Sequence, residues 1–129
     1  MALTHTITRR VAAGSRTLEK VTTKTAGAGP SLSESIPDSS TDLQIPFSVD
    51  VSQVKSCWIQ ATGGNLTVKT NSSSTPADTL ALVDGVPQLW VEGDLATFFL
   101  TTDVTDLFVT NSSGAASTLD IEILYDPTP

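Results

Sequence analysis

The sequence predicts an all-β fold: a two-sheet antiparallel β-sandwich, jelly-roll-like, with an N-terminal arm or hairpin. Three observations predict it. Near the C-terminus Leu119, Ile121 and Ile123 alternate with Asp120 and Glu122, the period of a strand with one buried and one wet face. The composition is rich in Thr and Val and poor in helix formers, which suits a pleated, half-buried surface. Turn residues also recur between roughly nine or ten short apolar runs, the spacing of a sandwich or barrel.

Taken in order, Leu3, Ile7 and Val11 face Thr4, Thr6, Thr8 and Arg10, so a strand is expected over 3–11. Ala12-Ala13-Gly14-Ser15 is a turn, and 17–25 a second strand that closes an N-terminal hairpin. Ala26-Gly27-Ala28-Gly29-Pro30 is expected to interrupt it as a linker or sharp corner. A short strand over 31–36 and a turn at Pro37-Asp38-Ser39-Ser40 follow. Over 42–49, Leu43, Ile45 and Phe47 alternate with polar residues, and Pro46 marks an edge position or a bulge. Strands over 54–61 and 66–70, joined by Thr62-Gly63-Gly64-Asn65, are expected to pair. Residues 71–78 form an exposed polar loop. Strands are expected over 79–83, 88–92 and 98–102. Finally, 107–110 and 118–125, linked by Ser112-Ser113-Gly114-Ala115-Ala116-Ser117, are expected to form a hairpin.

An internal echo joins Asp50-Val51-Ser52-Gln53-Val54 to Asp103-Val104-Thr105-Asp106-Leu107. In each, an Asp that accepts nearby backbone N–H groups would cap a tight turn where the chain crosses between sheets. A metal site built from Asp50, Asp103 and Asp106 is the alternative, but the spacing of a calcium loop is absent.

The 129 residues suffice for one core, divided here into an arm or hairpin over 1–30 and a sandwich over 31–129. The mean hydropathy of +0.07 suits a soluble chain. No apolar run approaches the roughly 20 residues that span a bilayer, so no membrane partner is expected. Residues 1–11 lack the apolar stretch of a secretory signal. The single cysteine, Cys57, makes no internal disulfide.

The net charge of −7 is unevenly spread. Residues 1–30 hold Arg9, Arg10, Arg16, Lys20 and Lys24 against Glu19, a net +4, whereas 31–129 hold two lysines against thirteen acids, a net −11. A basic leading segment facing an acidic body suits docking onto an acidic neighbour, another copy of the chain included. Ile7, Arg9, Arg10, Arg16, Lys20 and Lys24 are the candidate protein-interface residues. An overall pI near 4.3 and the lack of interleaved aromatics disfavour nucleic acid.

Catalytic chemistry is not signalled. His5, the only histidine, lies on a Thr-rich strand and reads as a surface residue. Cys57, between Ser56 and Trp58, reads as a core thiol. There is no nucleophile elbow, phosphate loop, dinucleotide fingerprint or zinc spacing, and no cofactor or metal is expected. The glycosylation triplets at Asn65, Asn71 and Asn111 are ordinary in a Ser/Thr-rich chain. Trp58 and Trp90, each flanked by apolar residues, are expected in the core or a subunit interface; sugar platforms are the alternative.

Several motifs together resemble small virion proteins of tailed bacteriophages and prophages: Leu3-Thr4-His5-Thr6-Ile7-Thr8, Asp50-Val51-Ser52-Gln53-Val54-Lys55-Ser56, Asp103-Val104-Thr105 through Val109-Thr110-Asn111, and Leu124-Tyr125-Asp126-Pro127-Thr128-Pro129. The resemblance implies a non-enzymatic structural β-sandwich of the virion, made in the bacterial host cytoplasm. Small size, acidity and the oppositely charged arm then suit a capsid decoration or cement protein. Such a protein would oligomerise, for instance as a trimer, and bind the major capsid protein or another virion protein. A tail- or fibre-associated module is the first rival and a carbohydrate-binding module the second.

Overall fold

The structure, a computed structural model, describes residues 2–126. The last three residues of the closing motif, Pro127, Thr128 and Pro129, lie outside the described residues. Among the described residues, nine strands form two antiparallel sheets. They are β1 (Ala2–Ala13), β2 (Arg16–Ile36), β3 (Leu43–Val49), β4 (Val54–Thr62), β5 (Leu66–Thr70), β6 (Thr79–Leu82), β7 (Gln88–Val91), β8 (Val104–Thr110) and β9 (Ser117–Tyr125). One sheet has the order β1-β2-β9-β4-β7 and the other β3-β8-β5-β6.

The pairings are nested. β2 pairs with β9, β3 with β8, β4 with β7 and β5 with β6; β4–β9 and β5–β8 pairs then complete the sheets. Inward residues meet between the layers, among them Ile36, Phe47, Cys57, Leu66, Val109 and Ile123. Each large side chain so buried contributes about 1.5–3 kcal/mol.

This nesting overturns two expected hairpins. β4 and β5 lie in different sheets, as do β8 and β9. The short polar links after each are therefore crossings at the end of the sandwich. Gly63 at φ 106 and the Gly64 backbone lie against this corner, where a Cβ on Gly64 would come 2.2 Å from Ser113 Oγ. The expected strand over 98–102 is also absent. There Thr101 donates its N–H and its hydroxyl to the Asp78 carboxylate, each at 2.8 Å, so a side chain replaces the ladder. Phe98, Phe99 and Leu100 instead pack against the core.

The expected corner at 26–30 is corrected as well: β2 runs through it. The chain passes by a register shift between Ala28 and Ser31, a bulge that bends the strand. Gly29 lies so close to β9 that a Cβ there would come 2.7 Å from Ile123 O. Pro46, by contrast, sits on edge strand β3 beside a register shift between Pro46 and Val49, as expected. Asp50 caps the 3-10 turn Val51–Gln53 by accepting from Ser52 N at 3.0 Å. Its echo differs: Asp103 accepts from Val51 N at 3.0 Å, while Asn71 takes the Thr105 N–H at 2.8 Å. The two halves of the echo are spatial neighbours, since Val49 pairs with Val104.

Candidate docking surface and the cleft beneath it

The β1–β2 hairpin is a ribbon paired from Ala2↔Gly27 to Ala13↔Arg16. Its two-residue loop starts at Gly14, at φ 61, a conformation that matches strand twist in tight hairpins. Directly opposed residues share a face, so the register sorts the side chains. One face carries Leu3, His5, Ile7, Arg9 and Val11 opposite Ala26, Lys24, Thr22, Lys20 and Leu18, with Arg16 beside the loop. The other carries Thr4–Thr25, Thr6–Thr23, Thr8–Val21 and the Arg10–Glu19 pair. Four of the five cations therefore share a face with the apolar residues. Alternation alone carried this signal.

Beyond the bulge the ribbon lies across the outer side of the first sheet, over β9, β4 and β7. Three contacts fix it. His5 Nδ1 meets Ser56 Oγ at 2.5 Å, and His5 Nε2 lies 3.8 Å from Glu122 Oε1. Lys24 Nζ is 3.6 Å from Glu92, whose carboxylate also takes Lys55 Nζ at 2.7 Å. Arg9 donates two bonds to Asp94, at 2.8 and 2.9 Å. Under this cover Ser56, Val91 and Leu124 are buried although they stand outside the main core; β4 brings them together, with Ser56 opposite both Val91 and Leu124. They form a second, smaller buried layer.

The electrostatics follow from these contacts. The Arg9 guanidinium, helped by the Val91 N–H, holds the Asp94 carboxyl below the usual range, and Arg9 is itself raised. Lys55 first and Lys24 second hold Glu92 low. The basic segment is thus partly neutralised by the chain's own acids.

Each candidate interface residue now has a place. Ile7 is half-buried and lines the cleft under the ribbon. Arg9 and Lys24 bind Asp94 and Glu92 of the same chain. Arg10 pairs with Glu19 across the ribbon at 3.3 Å. Arg16 and Lys20 are exposed, and among the described residues no carboxylate lies within ion-pair distance of either. Residues 8–21 are all exposed; past the Arg9–Lys20 pair, which still borders the body at Glu92 and Asp94, residues 10–19 leave it as an overhang of about 13 Å at strand rise. Val11 and Leu18, directly paired, are 63% and 55% exposed.

The Ser56, His5 and Glu122 grouping superficially resembles a nucleophile, base and orienting acid. Ser56 is only 1% exposed, so its hydroxyl is closed to a substrate, and the His5–Glu122 separation exceeds a hydrogen bond. His5 is therefore a clasp on Ser56, half-buried where a surface position was expected. Cys57 faces the core, and burial pushes its thiol well up, which keeps it protonated and unreactive. Among the described residues no three metal-ligating side chains cluster.

Trp90 packs against the core, stacks on Phe98 at 4.7 Å and donates to Ala96 O. Trp58 does not enter the core; it stands on the outer face of β4. Asn111, at the end of β8, is fully buried. Its Nδ2 donates to Ile36 O and Ala115 O, and its Oδ1 accepts from Ser113 N and Oγ.

The chain matches no protein-family model, no curated protein and no solved structure.

Proposed function

We propose that this chain is a non-enzymatic structural subunit of a phage particle, most simply a capsid decoration or cement protein, that docks through its ribbon tip. The observation that carries the reading is the overhang. A two-stranded ribbon is marginal in water, yet this one projects beyond the sheet with Val11 and Leu18 uncovered and Arg16 and Lys20 beside them on the same face. A mixed apolar and cationic surface suits a partner that is acidic with apolar gaps, and the −11 of residues 31–129 makes a second copy such a partner. Many copies engaged on one particle would add avidity to a small contact.

The strand order supports the same reading. With β1 set aside, the orders β2-β9-β4-β7 and β3-β8-β5-β6 support reading the body as an eight-stranded jelly roll, an architecture used by viral capsid and lectin domains. In this proposal the jelly roll is the body and β1 the addition that converts its first strand into a projecting ribbon.

The experiment is co-sedimentation of the purified chain with particles of the phage or prophage that encodes it. The chain should pellet with particles, and the Arg16→Glu/Lys20→Glu variant should remain in the supernatant. Failure of the unaltered chain to pellet with particles, together with monomeric behaviour in solution, overturns the proposal.

A further inference from the structure

The ribbon tip leaves Trp58 without a role. Its side chain is on the water-facing side of β4, 39% exposed, with Glu122 of β9 directly opposite on one side and Leu89 of β7 on the other. The indole N–H donates to Gln60 Oε1 at 3.0 Å, which ties the ring to its own strand. A cleft opens on each side. One, of about 300 Å³, runs under the ribbon and is lined by Thr4, His5, Thr6 and Glu122. The other, of about 230 Å³, is lined by Ser31, Ser33, Asp120 and Glu122. Trp58 and Glu122 wall both, so the two are halves of one trough that crosses β2, β9 and β4, about 10–15 Å at ordinary strand spacing.

We propose that this trough is a binding site for a neutral oligosaccharide, with Trp58 as the stacking platform. The lining selects the ligand class. The lining is mixed, with Ile7 and Leu89 in one cleft and Leu32 and Ile121 in the other; a wholly apolar peptide would bury Ser31, Ser33 and Asp120 without partners and leave Glu122 only the distant His5, at a cost per polar group. Hydroxyl-rich rings satisfy them, with the carboxylates accepting from sugar hydroxyls in charge-assisted bonds. The indole covers the C–H face of a pyranose, an apolar contact with a polar rim, as ligand sites generally combine. Asp120 and Glu122 repel uronates, sialic acids and phosphorylated glycans, so the ligand carries no acid. The His5–Ser56 clasp holds one wall in place before the sugar arrives, which preserves affinity. This site is independent of the ribbon tip: none of its lining residues lies in the overhang.

The test is a glycan array followed by titration of the full chain with the neutral hexasaccharides that bind, read by tryptophan fluorescence and calorimetry. Neutral glycans should bind and acidic ones should not. Trp58→Ala should lose binding by at least about tenfold (a loss of about 1.4 kcal/mol) with the melting temperature retained, because the ring is outside the core. Trp58→Phe, which keeps an aromatic face, should retain binding within about tenfold. Arg16→Glu/Lys20→Glu should bind sugar normally, which separates this site from the docking proposal. Absence of any neutral glycan ligand at millimolar concentration, unchanged binding in Trp58→Ala, or a Trp58→Phe loss as deep as that of alanine overturns the inference.

Discussion

Asn111 shows what one side chain does at a sandwich corner. It sits where β8 leaves the second sheet, and its amide supplies partners to Ile36 O, Ala115 O and the Ser113 N–H. Asn111→Ala strands the buried Ile36 carbonyl and loosens the part-buried Ala115 and Ser113 groups, and a loss of about 2 kcal/mol is expected in chemical denaturation. A conservative core truncation at an equally buried site provides the comparison. Cys57 gives a second expectation at this scale. Its thiol is buried and raised by desolvation, so a thiol reagent should label it only as fast as the sandwich opens globally. Rapid labelling of the folded protein would show that β4 opens locally. Neither role stands out in the sequence. Asn111 sits in a run of Ser, Gly and Ala that reads as any polar loop, because a bonded buried amide and a solvated one are spelled alike. Trp58 misleads in the opposite direction: Cys57 and Ile59 beside it are core residues, and the alternation that buries them turns the tryptophan outward.

At the scale of elements, the ribbon depends on one bend, the His5–Ser56 bond and two ion pairs. Gly29→Val places a side chain against Ile123 O and the Tyr125 Cβ, where an added carbon already has under 3.0 Å. Backbone cannot yield as a flexible side chain can, so a loss of at least about 2 kcal/mol is expected in thermal unfolding. The ion pairs carry a pH dependence whose sign is fixed. In the folded chain Arg9 lowers Asp94, and Glu92 is lowered first by Lys55 of the body and then by Lys24 of the ribbon. Their contribution is full above the ordinary carboxylate values near 4 and is lost as pH falls through the depressed folded ones. Protection of the β1 and 16–27 amides, measured against the intrinsic exchange rate at each pH, should therefore fall below about pH 4, before the nested strands open, and Asp94→Asn should show much of that loss already at pH 7. Strand positions were legible because alternation is local. Partners were less so: Gly63-Gly64 and Ser112-Ser113-Gly114 resemble hairpin turns, but a link of that composition serves equally well to carry the chain to the facing sheet. Pro46 on its edge strand was legible because a missing donor restricts where it can sit.

For the whole molecule, the nested pairings β2–β9, β3–β8, β4–β7 and β5–β6 fold a long double ribbon into two layers. β1 lies outside that nest. It covers Ser56, Val91 and Leu124 at its base and projects at its tip, so one hairpin both seals the body and reaches away from it. The charge asymmetry was readable from the sequence alone. Its division was not: whether a cation meets its own body or a neighbour depends on distance along the ribbon, and the boundary falls just past Arg9. Replacing residues 10–19 with a tight turn should leave the melting temperature within about 2 °C, since an exposed tip contributes little packing. The central claim is that this overhang holds the chain to another acidic protein surface, its own copies included. Sedimentation equilibrium of the full chain against Val11→Asp/Leu18→Asp, across a wide range of concentration, tests it most directly. The account predicts reversible self-association of the unaltered chain, weakened by salt, and a monomeric variant with an intact sandwich; a variant that associates as well as its parent, or a chain that stays monomeric throughout and also fails to sediment with particles, would contradict it.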